Sequence, residues 1–151
     1  LASSTTNLSD LIAYVSEIVK TDHILWTHVT SPMVNDKTYI DAINKYNSAL
    51  GSGFDSLMSV TPFKNFLWNN DKKDIINRYI KNNIRWPQTQ DLEDLYEINS
   101  AIFIAPRKIY IENLDRLGNK PYLYEMSKIE AVDVDWEDDF KIAEAIYEKY
   151  R

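Results

Sequence analysis

Helical and strand periodicities alternate along this chain, and that alternation constrains its fold more than any single motif does. Residues 8–19 place Leu8, Leu11, Ile12, Val15, Ile18 and Val19 at helical spacing, with Asn7 or Ser9 where a cap belongs. Residues 23–29 (HILWTHV) are nearly continuous in apolar character, and Thr30-Ser31-Pro32 must break that strand. A second helix is predicted over 36–50, ended by Gly51-Ser52-Gly53, and a second strand over 56–61, stopped by Pro62. Residues 98–104 read as a strand, and Pro106 opens a helix reaching to about residue 117. A short strand over 122–125, a last strand over 129–135 and a helix over 137–150 complete the series. Such alternation predicts a single α/β layered domain with a largely parallel sheet. Ligands in such sheets sit outside the carboxyl ends of the strands. Residues 63–90, with Trp68, Trp86 and a charged segment near 71–81, read as an excursion from the main sheet.

The totals narrow the chemistry. Seventeen basic residues against twenty-three acidic ones leave a net charge of −6, which argues against a nucleic-acid footprint. No apolar run reaches the length of a membrane span, and no signal-peptide pattern is present. Cysteine is absent, which excludes disulfides, thiolate metal sites and cysteine nucleophiles and is compatible with the cytoplasm. Gly51, Gly53 and Gly118 are the only glycines, so no glycine-rich phosphate cradle of the usual spacing exists in these residues.

Three strand ends then carry candidate chemistry: residues 28–32, 59–62 and 133–135. In a strand Asp133 and Asp135 share a face, ~6–7 Å apart, and two oxygen ligands at a strand end suit a hard cation that also holds phosphate. The competing reading makes Asp135 the cap of the last helix, with Glu137, Asp138 and Asp139 complementing its dipole. His28, Thr30 and Ser31 are able to hydrogen-bond a base or a phosphate, or equally to satisfy a local turn. Gln90 and Asn99 offer amides just before a strand, to a polar ligand or to a turn. The bases from Lys64 to Lys120, Arg116 among them, read mostly as solvated surface.

Four stretches in order resemble the acylneuraminate cytidylyltransferases, which make CMP-activated sialic and related nonulosonic acids. LASSTTNLSD (1–10) is similar to the family's LATDTASSID, and ILWTHVTSPM (24–33) to its LLQPTSPL strand and turn. QDL (90–92) with NSAIFI (99–104) resembles RQDLP…ENGAIYI, and KPYLYEM (120–126) with VDVD (132–135) resembles KPYLYEM…IDIDTELDF. The resemblance implies a three-layer, Rossmann-like nucleotide-diphospho-sugar transferase fold with a mostly parallel sheet, incomplete at the N-terminus. It implies CMP transfer from CTP to an acidic nine-carbon sugar, with Asp133 and Asp135 holding Mg2+ as the catalytic pair. By the same route Thr5, Asn7, His28, Thr30 and Ser31 border the nucleotide, while Gln90, Asn99 and Tyr122 line the sugar pocket. A homodimer is implied, with 63–90 protruding to close the neighbour's sugar site. Ser4, His28, Val34, Thr89 and Ser100 depart from the family's usual aspartate, glutamine, arginine, arginine and glycine. The loss of arginine widens the sugar to legionaminate- or pseudaminate-type acids. The family's opening phosphate loop has no counterpart here, and with leucine at position 1 it is expected upstream. Two alternatives stand beside this reading: a metal-dependent glycosyltransferase using Asp-x-Asp, and a non-catalytic nucleotide-binding or assembly module.

Overall fold

The computed structural model describes residues 7–77 and 86–150. Its elements are α1 (Leu8–Ile18), β1 (His23–Thr27), α2 (Asp36–Gly51), β2 (Ser56–Phe63), β3 (Trp68–Asn69), β4 (Asp74–Ile75), β5 (Leu95–Pro106), α3 (Arg107–Glu112), β6 (Pro121–Glu125) and α4 (Glu137–Tyr150). Four strands form one sheet in the order β1-β5-β2-β6. β5 is antiparallel to both β1 and β2, and β2 is parallel to β6, so β1, β2 and β6 all point one way. The reversal of β5 follows from the excursion. The chain leaves the sheet at Phe63 and re-enters at Leu95 directly opposite it, so the returning strand must run backwards, as in a hairpin with a long insertion at its tip.

Helices cover both faces, which makes the domain three-layered. Ala42 and Tyr46 of α2 pack on Leu57, Ala101, Ile102, Ile104 and Met126. On the other face α1 and α3 bury Ile12, Ile109 and Tyr110 against Ile24 and Ala105. The run 101–105 (AIFIA) is buried throughout because β5 is a central strand covered on both sides. Within the excursion, β3 and β4 make a separate two-stranded ribbon. Asn77 ties down its base, accepting from Leu67 N at 2.8 Å and donating to Asn65 O at 2.7 Å.

Several boundaries move, each for a physical reason. β2 runs through Pro62 because β6 stops pairing at Val60, so the proline sits on a free edge where no amide is needed. α3 ends at Glu112 instead of near 117. The segment that follows is held by Asp55, which accepts from Asn119 N at 2.7 Å and Lys120 N at 3.0 Å. The expected strand over 129–135 does not form. Ser127-Lys128-Ile129-Glu130 is instead a capping box: Glu130 Oε2 accepts from Ser127 N at 3.2 Å, while Ser127 Oγ accepts from Glu130 N at 3.2 Å. That turn lifts the chain out of the sheet, and one amide, Val134 N, bonds back to Thr30 O at 2.9 Å.

Gly118 marks the tightest approach in this arrangement. A Cβ there would lie 2.3 Å from Asp55 Oδ1. Gly118→Ala therefore displaces the carboxylate from the amides it holds, and we expect a loss of about 1–2 kcal/mol, since charge-assisted bonds are involved but the site is half-exposed. Urea denaturation checks this, and an unchanged midpoint refutes it.

Candidate active site

The carboxyl end of β2 and the start of β5 meet at one end of the sheet, and a cavity of about 500 Å³ opens there. Thr61 to Phe63, Glu97 to Ser100, and Lys128, Ala131, Asp133 and Asp135 contribute to its lining. A buried polar network shapes this wall. Asn99 Oδ1 accepts from Ser59 Oγ at 2.6 Å and from Ala101 N at 3.3 Å, while its amide nitrogen donates to Thr61 Oγ1 at 3.1 Å. Ser59 Oγ in turn accepts from Ile102 N at 2.8 Å. These side chains replace ladder bonds where the β2–β5 register shifts between Met58 and Val60. Ser100 takes up the irregularity with φ of 59°. That left-handed conformation is strained for any L side chain, so Ser100→Gly relieves strain and we expect a gain of about 0.5–1 kcal/mol by thermal unfolding. A loss of stability would contradict the bulge's strain.

Asp133 and Asp135 face this cavity together, although not as strand neighbours. Asp133 Oδ1 accepts from Val134 N at 3.1 Å. Asp135 is not the helix cap: α4 begins at Glu137, and Asp139 Oδ2 does the capping, accepting from Asp135 N at 3.2 Å and Trp136 N at 2.9 Å. With that duty taken by Asp139, the Asp135 carboxylate accepts no hydrogen bond among the described residues.

Among the described residues Glu97 adds a third carboxylate to the lining, against one cation, Lys128. An anionic substrate approaching such a wall needs counter-charge. Among the described residues no group of three His, Asp or Glu is gathered closely enough to hold a metal alone. Two carboxylates lining one cavity would suit Mg2+, which keeps waters and takes its remaining oxygens from substrate phosphates.

His28 lies just past β1, close enough to Asp133 and Asp135 for both carboxylates to raise its basicity; burial and then the Arg116 guanidinium outweigh them and lower it. Thr30 borders a second, apolar cavity of about 460 Å³ between the β1 turn and α4. The Ser31 hydroxyl is buried without a hydrogen-bond partner. The structure thus brings Asp133, Asp135 and Asn99 to one cavity; His28 does not line it, but lies near enough to feel the charge of both carboxylates. Other expected residues stand elsewhere. Asn7 caps α1, accepting from Ser9 N at 3.1 Å. Gln90 is exposed on a short 3-10 turn and bonds Gln88. Tyr122, the second residue of β6, lies opposite Leu57, away from the cavity end of β2, and its ring meets Phe54 edge-on at 5.5 Å. Thr5 lies outside the described residues. Lys128 and Glu97 were not among the expected residues. The capping-box pattern around Lys128 is the signal that marks a turn there, and Glu97 carried none.

The sheet order, the reversed β5 and the helices on both faces define a three-layer α/β fold with an acidic cavity at its strand ends. The fold is shared with 4-diphosphocytidyl-2C-methyl-D-erythritol synthase from Anaerococcus prevotii at a TM-score of 0.66, with 13% identity over 95% of this chain and 68% of that one. It is shared also with CMP:2-keto-3-deoxy-manno-octonic acid synthetase complexed with CTP, at a TM-score of 0.58 and 10% identity over 98% and 70% of the two chains. The resemblance to acylneuraminate cytidylyltransferases is borne out in sequence: the N-acylneuraminate cytidylyltransferases of Streptococcus agalactiae serotypes III, Ia and V are each 41% identical to this chain over 51 residues. That match spans 34% of this chain and 12% of each relative's length. No protein-family model matches the chain.

Proposed function

We propose that the protein is a cytidylyltransferase that transfers CMP from CTP to an acidic nine-carbon sugar, releasing pyrophosphate, with Mg2+ as its cofactor. The observation that carries this reading is that Asp133 and Asp135 both line one cavity. The similarity to the streptococcal enzymes and the fold shared with two cytidylyl-dependent synthases support it. In the proposed reaction the sugar's anomeric hydroxyl attacks the α-phosphorus of CTP, and pyrophosphate leaves.

Mg2+, when bound, supplies the charge neutralisation that phosphoryl oxygens need beside three carboxylates. Asp133 and Asp135 would hold it from one side. Lys128 adds positive charge at the same wall, complementary to a sugar carboxylate or to departing pyrophosphate. Asn99 has one amide hydrogen left after its network bonds, available to a sugar hydroxyl. The cavity wall is fixed by buried hydrogen bonds, so orientation, and not acid–base chemistry by a cavity residue, is the protein's main contribution.

A homodimer working in the cytoplasm completes the proposal. The excursion carries Trp68, Ile76 and Trp86 exposed, an apolar surface suited to a neighbouring subunit. No described helix is long and apolar enough to cross a membrane.

The test is direct. The purified protein is incubated with CTP, Mg2+ and N-acetylneuraminate or a legionaminate-type acid, and both pyrophosphate and the CMP-sugar are measured. Their formation in equal amounts is expected. Consumption of a supplied CMP-sugar, with none formed from CTP, would assign the site to a glycosyltransferase instead.

A further inference from the structure

The most constrained histidine in the molecule has its proton fixed by two neighbours that are unable to accept one. Trp26 Nε1 donates to His28 Nε2 at 3.1 Å. Arg116 Nη1 lies 3.1 Å from the same nitrogen. An indole N–H and a guanidinium N–H only donate, so Nε2 must be the unprotonated nitrogen and the ring proton must sit on Nδ1. Protonating Nε2 would break both bonds and set N–H against N–H.

The geometry around Arg116 is built, not incidental. Its guanidinium carbon lies 3.7 Å from the centre of the Phe103 ring and 5.7 Å from that of Trp26. Phe103 and Trp26 are direct partners across β5 and β1, and Trp26 stacks in turn on buried Tyr110 at 6.3 Å. Asp115 Oδ1 fixes the turn from below, accepting from Leu117 N at 3.2 Å. Among the described residues Arg116 makes no ion pair, so its charge is spent on the aromatic rings and on His28. Among those residues, too, His28 Nδ1 has no hydrogen-bond partner. Ser31, three residues on, has its buried hydroxyl unpartnered as well.

We propose that Trp26 and Arg116 are positioning residues that hold His28 as its Nδ1–H tautomer, so that His28 serves the nucleotide as a hydrogen-bond donor to an acceptor oxygen and not as a base. The proposal deepens the cytidylyltransferase reading and rests on it for the ligand. The tautomer does not depend on that reading. A donor in this position suits a carbonyl of the base or a phosphate oxygen equally, and both belong to CTP. The charged groups acting on the ring are Arg116, which opposes a second proton, and Asp133 and Asp135, which favour one.

Two measurements test it. Two-bond proton–nitrogen NMR spectra of the ligand-free protein at pH 7.5 are expected to show His28 protonated at Nδ1 alone. Arg116→Gln is expected to leave that pattern, because Trp26 still donates, and Trp26→Phe combined with Arg116→Gln to release it toward the other tautomer. An Nε2–H pattern, or a mixture, in the wild type overturns the proposal whatever the protein binds. The second measurement is CTP affinity by calorimetry. Asparagine places its amide N–H where Nδ1 stands, so His28→Asn is expected to bind CTP within about threefold of wild type and His28→Leu at least tenfold more weakly. Equal affinities for the two variants, or losses confined to the sugar, refute the nucleotide contact. Should the double variant fail to fold, the wild-type spectrum and the asparagine–leucine comparison decide. If wild type binds no CTP at all while the Nδ1–H pattern is present, the cytidylyltransferase reading falls and the tautomer stands.

Discussion

Replacing Asp133 or Asp135 by alanine is expected to abolish most Mg2+-dependent pyrophosphate release, by at least a hundredfold, with the fold intact. On the proposed reading each variant removes one of the two carboxylates that would hold the cation, and among the described residues no third acidic group is gathered closely enough with them to compensate. A loss of that size corresponds to about 2.7 kcal/mol or more of transition-state stabilisation. The structure sharpens the test against the helix-cap reading. If Asp135 capped α4, its removal would lower thermal stability. Because Asp139 holds the Asp135 and Trp136 amides, Asp139→Ala is expected to cost about 1 kcal/mol and Asp135→Ala to leave the melting temperature unchanged. Wild-type turnover in both Asp133→Ala and Asp135→Ala would remove the metal assignment. A destabilised Asp135→Ala would return that residue to the helix.

Asn99→Ala is expected to lower stability by about 3 kcal/mol, which for a chain of this size is a fall in melting temperature of about 10 °C. The side chain is buried and serves three groups at once: the Ser59 hydroxyl, the Thr61 hydroxyl and the Ala101 amide. Truncation leaves all three short of a partner, at 1–3 kcal/mol for each group that water cannot reach. Water from the adjoining cavity offsets part of that. Asn99→Asp keeps the acceptor for Ser59 and Ala101 and lets Thr61 reverse its hydroxyl, so most of the stability is expected to return. The pair also separates structure from substrate contact. If Asn99 touches the sugar through its spare N–H, Asn99→Asp raises the sugar KM at near-native stability. An unchanged KM would leave Asn99 a purely structural residue, and an unchanged melting temperature in Asn99→Ala would contradict the network itself.

Much of this was written locally. The helical spacing of residues 8–19 and 36–50, the apolar run 23–29 and the β-rich segment 98–104 each appear as the expected element, because amphipathic period and strand composition report burial directly. The layered α/β class followed from their alternation, and the Asp133–Asp135 pair was visible as two oxygens with one residue between them. Local pattern failed where a long-range constraint overrode it. The direction of β5 depends on where the excursion returns, which no window of residues contains. The strand over 129–135 looked right in composition, yet a capping box upstream and a single amide bonded to Thr30 O leave it without a ladder. Its carboxylates still share a cavity, for a reason different from strand alternation.

The site shows the same division. Residue type named the acids and the histidine. Only packing could say that Asp139 relieves Asp135 of capping, that Asn99 is committed to a β-bulge, and that Arg116, one of several scattered bases in the sequence, lies on two aromatic rings with its guanidinium against His28. By itself the sequence determined which elements form and which chemical groups are available, because those depend on neighbours a few residues away. The tertiary structure alone decided which groups meet, and which of their lone pairs and protons are left for a ligand, because hydrogen-bond capacity is consumed by partners from anywhere in the chain.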